Sequence, residues 1–234
     1  MITIRKADER GKTEIGWLHS RHTFSFGEYF DPKFTRFRSL RVINDDIVEP
    51  GMGFGAHPHR DMEIITVVLE GALEHKDSLG HGEVLRPGEV QVMTAGRGIR
   101  HSEFNPSKVQ RVRLLQVWID PAQRGLEPAY AQKAFPRTER INRLRRVAGR
   151  SGPADDALNI HQDADLYLAA VGAGAKVEHH VSRGRAVWVQ VATGSMFLNA
   201  HAMNAGDGAA VEDEEGIRLE GVGEDSEALV FDLV

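Results

Sequence analysis

Cysteine is absent from all 234 residues. That excludes a disulfide framework, a thiolate zinc site and a cysteine nucleophile, so any metal ion must be held by nitrogen and oxygen donors. Long apolar runs are missing as well, and nothing approaches the ~18 consecutive apolar residues of a membrane-spanning helix. The first ten residues, Met1-Ile2-Thr3-Ile4-Arg5-Lys6-Ala7-Asp8-Glu9-Arg10, are charged and contain no apolar stretch of signal-peptide length. The expected compartment is the cytoplasm, with no membrane contact. Surplus positive charge is also lacking: a formal net charge of -5 argues against a chain that wraps nucleic acid by bulk electrostatics. With 41% hydrophobic and 27% charged residues, the chain has the balance of a soluble globular protein with a sizeable core.

What is there reads as short apolar or alternating runs separated by glycine, proline, asparagine and aspartate, an antiparallel β pattern. In the first half, strands are expected at Leu40 to Ile43, Glu63 to Leu69, Ala72 to His75, Glu83 to Leu85, Glu89 to Met93 and Leu114 to Ile119, with a tight turn at Glu70-Gly71. In the second half they are expected at Leu166 to Val171, Ala186 to Val191, Met196 to Leu198, Ala209 to Val211, Ile217 to Leu219 and Ala228 to Leu233. Between them the apolar runs thin out, prolines recur at 121, 128, 136 and 153, and six arginines fall between Arg137 and Arg150. Glu139, Asp155 and Asp156 dilute that charge and no aromatic residues interleave for base stacking, so the cluster reads as a solvated linker or salt-bridge strip. Glu212-Asp213-Glu214-Glu215 reads as a solvated turn. The expected organisation is all-β: two antiparallel jelly-roll barrels at 1–120 and 157–234, joined by a linker at 121–156.

Two short pairs of ligand-type residues lie in the first half, His57-Pro58-His59 and His101-Ser102-Glu103. Residues at i and i+2 of a strand share a face, so each pair aims both members the same way, and two such strands side by side converge four ligands on one point. Three imidazoles and one carboxylate suit iron(II), nickel, copper, manganese, cobalt or zinc, and on an octahedral ion they leave two positions free. Iron(II) heads that list here. Glu63 shares parity with His57 and His59 and competes with Glu103 for the carboxylate position. Its other role would be to orient a histidine, since ligating imidazoles give their second N–H to a carboxylate or carbonyl. In the second half, His179-His180 are adjacent and so face opposite ways, and no further His-x-Glu pair accompanies them or His201.

The frames Gly51-x5-His57-x-His59-x3-Glu63-x7-Gly71 and Gly88-x5-Thr94-x-Gly96-x4-His101-x3-Asn105 resemble the two motifs of the cupin superfamily. They depart from it in Thr94, where proline is usual, and in longer spacings before Gly71 and His101. With Arg21-His22-Thr23-Phe24-Ser25-Phe26 upstream, and Gln162-Asp163-Ala164-Asp165-Leu166-Tyr167 and Gly206-Asp207-Gly208 downstream, the chain resembles the pirin family through most of its length. The resemblance implies a bicupin in which the first barrel alone holds metal, on His57, His59, His101 and Glu103. It also implies quercetin 2,3-dioxygenase activity, with a flavonol-like aromatic substrate and O2 as partners. Glu103 would double as the base that takes the substrate's hydroxyl proton. Phe24, Phe26, Phe54, Met93 and Phe104 are the candidates for an apolar substrate pocket. A metal-dependent redox sensor with a protein partner, and a cupin oxygenase or isomerase on another substrate, are the alternatives. A monomer is expected, because a bicupin buries within one chain the barrel-to-barrel surface that single barrels bury by pairing.

Overall fold

The computed structural model describes residues 1–150 and 156–234, so Pro153 and Asp155 of the arginine-rich stretch lie outside the described residues. Among the described residues there is no α-helix, and the strands form four sheets in two like pairs. The first barrel has a seven-stranded sheet in the order Ala129–Ala134, Glu89–Thr94, Glu63–Glu70, Val112–Ile119, Leu40–Val48, Leu18–His22, Gly11–Glu14. It faces a four-stranded sheet of Gly53–His59, Ile99–Phe104, Leu73–Asp77 and Gly82–Leu85. The second barrel repeats the plan. Its seven strands run Ile2–Arg5, Gly208–Val211, Ala186–Thr193, Ser226–Leu233, Ala164–Val171, Arg145–Gly149, Leu158–Asn159, and its four are Lys176–His180, Gly216–Gly221, Ser195–Leu198 and His201–Asn204. This is the two-barrel, all-β architecture expected.

The two seven-stranded sheets pack face to face. Leu40, Ile43, Ile65 and Val117 of one and Leu166, Leu168, Trp188 and Phe231 of the other share a single buried core. Central strands are therefore covered on both faces, which is why Ile64-Ile65-Thr66-Val67-Val68 reads as an almost unbroken apolar run. Its parity divides the faces: Ile65 and Val67 meet the second barrel, whereas Ile64 and Val68 point into their own. The turn at Glu70-Gly71 forms between Glu63–Glu70 and Leu73–Asp77, where Gly71 has φ +76° and a Cβ would lie 2.5 Å from the Arg111 carbonyl oxygen.

The chain crosses the expected domain boundaries in both directions. Ile2–Arg5 pairs with Gly208–Val211 and belongs to the second barrel, while Ala129–Ala134 pairs with Glu89–Thr94 and closes the first. Arg145–Gly149 adds to the second sheet against Ala164–Val171. The stretch 121–156 thus supplies a strand to each seven-stranded sheet: Ala129–Ala134 is the edge of the first, and Arg145–Gly149 lies between Ala164–Val171 and the edge strand Leu158–Asn159 in the second. Its arginines find carboxylates: Arg137 and Arg140 reach Glu227, Arg145 reaches Glu139 and Asp156, and Arg146 reaches Asp165. No helix among the described residues is long and apolar enough to cross a membrane.

Candidate metal centre

His57 and His59 stand on Gly53–His59, the edge of the four-stranded sheet, where a residue lacking an N–H such as Pro58 is tolerated. Ile99–Phe104 runs antiparallel beside it, placing His101 opposite His57. The register then slips, so that Glu103 pairs with Phe54 and not with Gly55. This bulge turns the Phe54 ring into the barrel on the same side as His57. Gly53 makes the close approach possible, since a Cβ there would lie 2.2 Å from the Glu103 carbonyl oxygen.

The three imidazoles meet. One donor nitrogen from each of His57, His59 and His101 lies within 4.8 Å of the other two, and their ring centroids are 4.4 to 4.8 Å apart. His57 Nδ1 donates to the Gly55 carbonyl at 2.8 Å, which fixes the tautomer and leaves Nε2 as a lone pair, 3.0 Å from His101 Nε2. Two imidazole nitrogens brought so close, with the carbonyl taking the other hydrogen, form a nest for a cation. His101 Nδ1 and Glu103 Oε1 are buried without any hydrogen-bond partner, a costly arrangement that a ligand would relieve. The donor set fits a borderline divalent ion.

Glu103 stands a little apart. Its Oε2 accepts from Gln116 Nε2 at 2.9 Å, and it groups within 4.8 Å with His101 and His75. Behind it a row of buried polar side chains crosses the seven-stranded sheet in register: Gln91, Thr66, Gln116, Asn44 and His22. Thr66 Oγ1 donates to Gln116 Oε1 at 2.8 Å, and His22 Nδ1 donates to Asn44 Oδ1 at 2.8 Å.

Electrostatics favour the ligating states of the histidines. Burial, with the neighbouring His57, holds His59 down to about 4. Burial, with His57, His59 and His75 nearby, holds His101 down to about 3. Both imidazoles are neutral at physiological pH, with lone pairs to offer. Burial pushes Glu103 up to about 7 against the hydrogen bond from Gln116, and pushes Asp46 up to about 7 against the one from Ser20.

A cavity of about 320 Å³ opens onto this centre, lined by His57, His59 and Glu103 on one side and walled by Phe26, Phe54, Trp118 and Leu18. His22, Asn44, Asp46 and Gln116 add polar groups to its lining. Of the five expected pocket residues, Phe26 and Phe54 reach it and three do not. Phe24 packs into the core between barrels, its ring 4.9 Å from Trp188. Met93 is buried with Ile64, Ala95 and Ile99. Phe104 alternates with Glu103 and so lies on the outer face, 36% exposed. Glu63 is likewise turned away: with Ile65 and Val67 it faces the second barrel, where it accepts from Thr94 Oγ1 at 2.8 Å and lies 3.5 Å from His161 Nδ1. The histidine it orients is thus His161. The sequence reading missed His75, Trp118, Asp46 and the polar row. The signal was there in inward-parity polar residues set within apolar strands, such as Gln116 in Leu114-Leu115-Gln116-Val117-Trp118.

Residues 3–119 match the family described as Pirin, and residues 147–233 match the Quercetinase C-terminal cupin domain. The chain is 46% identical over its whole length to a quercetin 2,3-dioxygenase of Escherichia coli strain K12, covering 99% of that protein. It is 38% identical to a pirin-like protein of Caulobacter vibrioides over 99% of both chains. Among solved structures, the bacterial pirin YhhW from Escherichia coli in complex with nickel(II) superimposes with a TM-score of 0.93 at 46% identity, covering 100% of this chain and 99% of that one. From the gathered histidines, the paired barrels and this full-length similarity it follows that the chain belongs to the pirin family.

Proposed function

We propose that this protein is a metal-dependent dioxygenase that cleaves flavonols such as quercetin, with His57, His59, His101 and Glu103 as ligands and iron(II) as the ion. The observation that carries the reading is three gathered imidazoles, one tautomer-locked by a backbone carbonyl, beside an aromatic-walled cavity of about 320 Å³. That volume falls within the roughly 300–1,000 Å³ of small-molecule sites. Full-length identity of 46% to a quercetin 2,3-dioxygenase supports the substrate class.

When bound, the ion supplies positive charge that favours the deprotonated form of a substrate hydroxyl, and a seat for oxygen chemistry. The chain's own residues do the rest. Trp118, with Phe26 edge-on to it at 5.4 Å, and Phe54 flank a planar ring system and exclude water from it. Gln116 holds Glu103 by Oε2, leaving Oε1 to accept the substrate's hydroxyl proton. Asp46 and Asn44 offer acceptors to hydroxyls elsewhere on the ring system.

The test is anaerobic reconstitution with iron(II), and in parallel with nickel, copper and manganese, followed by quercetin and oxygen. Loss of the flavonol absorbance with release of carbon monoxide, abolished in His57→Ala and Glu103→Ala, is the expected result. Stoichiometric metal without turnover under any ion overturns the dioxygenase and shifts the weight to a metal-dependent regulator.

A further inference from the structure

His75 is buried in the first barrel, directly across from Glu103 on the neighbouring strand, and it does not line the cavity. Its Nε2 donates to Asp77 Oδ2 at 3.1 Å, the carboxylate-to-imidazole bond that fixes a ligating histidine and leaves Nδ1 as the lone pair. Asp77, whose side chain is buried, is held in turn by His81 Nδ1 at 3.0 Å. Tyr130 is stacked with both rings, 4.7 Å from His75 and 4.8 Å from His81. The neighbour to His75 Nδ1 is the Gln91 amide at 3.5 Å, the outer limit of a hydrogen bond. The two partnerless buried atoms of the centre, His101 Nδ1 and Glu103 Oε1, belong to the two residues that group with His75 within 4.8 Å.

We propose that the barrel contains a second, inner cation position formed by His75, His101 and Glu103, adjoining the outer triad of His57, His59 and His101. Two imidazoles and a carboxylate select the same class of borderline divalent ion as the outer ligands. His101 is common to both, so a single ion has two alternative seats. The outer seat borders the substrate cavity through His57 and His59; the inner one meets it through Glu103 alone, with His75 and His101 set behind the lining, and serves as a resting position. Asp77 is the positioning residue of the inner seat.

The full-length chain carrying His57→Ala and His59→Ala isolates the inner seat. Nickel(II) or zinc(II) binding is measured by equilibrium dialysis with elemental analysis, and folding by thermal melting. The expected result is about one ion per folded chain, lost when His75→Ala is added and weakened by about 10- to 100-fold when Asp77→Asn is added. Copper(II) in the same double variant is expected to show two nitrogen donors by electron paramagnetic resonance. A folded double variant that binds no ion, or whose ion is indifferent to His75→Ala, overturns the inner seat. The readout is metal alone, so failure of flavonol turnover leaves it untouched.

Discussion

Both barrels set seven strands against four, and they differ in what fills the space between. In the first, the edge pair of the small sheet turns His57, His101 and Glu103 inward, and the large sheet answers with Gln91, Thr66, Gln116, Asn44 and His22. In the second, the corresponding edge pair, Lys176–His180 with Gly216–Gly221, turns in Val177, Ile217 and Leu219. Val187, Val189, Met196, Leu198 and Met203 complete an aliphatic filling there. His179, the histidine of that strand nearest the interior, is taken up by Asp232, to which its Nε2 donates at 2.6 Å. The scaffold therefore closes without a polar interior. The first barrel bears one at a cost: Asp46, His101, Glu103 and Trp118 each hold a buried polar atom with no hydrogen-bond partner. Polar groups kept at such a cost mark function, whereas the second barrel's interior serves packing.

Giving the first barrel the second's filling is the sharpest way to break this contrast. The triple variant His57→Val, His101→Ile and Glu103→Leu is expected to lose bound metal and at least about 10³-fold in turnover, the scale at which a whole catalytic constellation fails. Its metal-free melting temperature should hold or rise, because partnerless buried polar atoms are replaced by aliphatic contacts. Elemental analysis and calorimetry check both halves; a large fall in melting temperature would mean that the polar interior is structural. Next in size is Trp188→Ala, in the core the barrels share. Trp188 is 1% exposed and packs against Phe24 and Phe37, so about 3–5 kcal/mol of stability should be lost. Metal content per folded chain should not change, and denaturant titration with metal analysis separates the two.

The same contrast governs what could be read from the chain. His57, His59 and His101 were legible because period-2 parity is local: two residues on one strand share a face whatever lies around them. Phe54 reaches the cavity through a register slip between two strands, which no single-strand pattern encodes. Glu63 obeys parity and still faces the wrong barrel, because the strand that carries it is covered on both sides and sequence alone does not say which face is which. Ile2–Arg5 and Ala129–Ala134 crossed the expected boundaries for a related reason: strand pairing is long-range, and an edge accepts whichever strand the chain brings to it.

Acid separates the barrels further. In the metal-free first barrel, His59 and His101 are depressed by burial, so their protons are taken up first by the unfolded chain and stability falls below about pH 6.5. Asp46 and Glu103, raised to about 7, are protonated first in the folded chain and oppose that loss over the range from about pH 7 to 4. The two effects offset to first order. Asp232 of the second barrel behaves otherwise. Burial pushes it up, yet the hydrogen bonds from His179 and Arg185 prevail and hold it below the ordinary carboxylate value. Its contribution is complete above about pH 4, the unfolded value, and is lost as pH falls through the lower folded one. Asp232→Asn should therefore cost about 1.5–3 kcal/mol at neutral pH, with the melting curves of variant and parent converging as the pH falls below about 4. A difference that persists undiminished at pH 2 would rule out the ionic origin.

The smallest effect tests whether the cavity, which the second barrel's filling replaces, binds a planar ring. Phe26 touches Trp118 edge-on at 5.4 Å and lines the cavity without belonging to the histidine cluster. An aromatic contact of this kind contributes about 0.5–1.5 kcal/mol, so Phe26→Ala should raise KM for the flavonol by about 2- to 10-fold. If the ring only holds substrate, ground state and transition state lose equally and kcat stays within about twofold. If kcat falls with KM unchanged, Phe26 instead shapes the reacting geometry, and the cavity wall has to be counted with the metal centre as the feature that distinguishes the first barrel from the second.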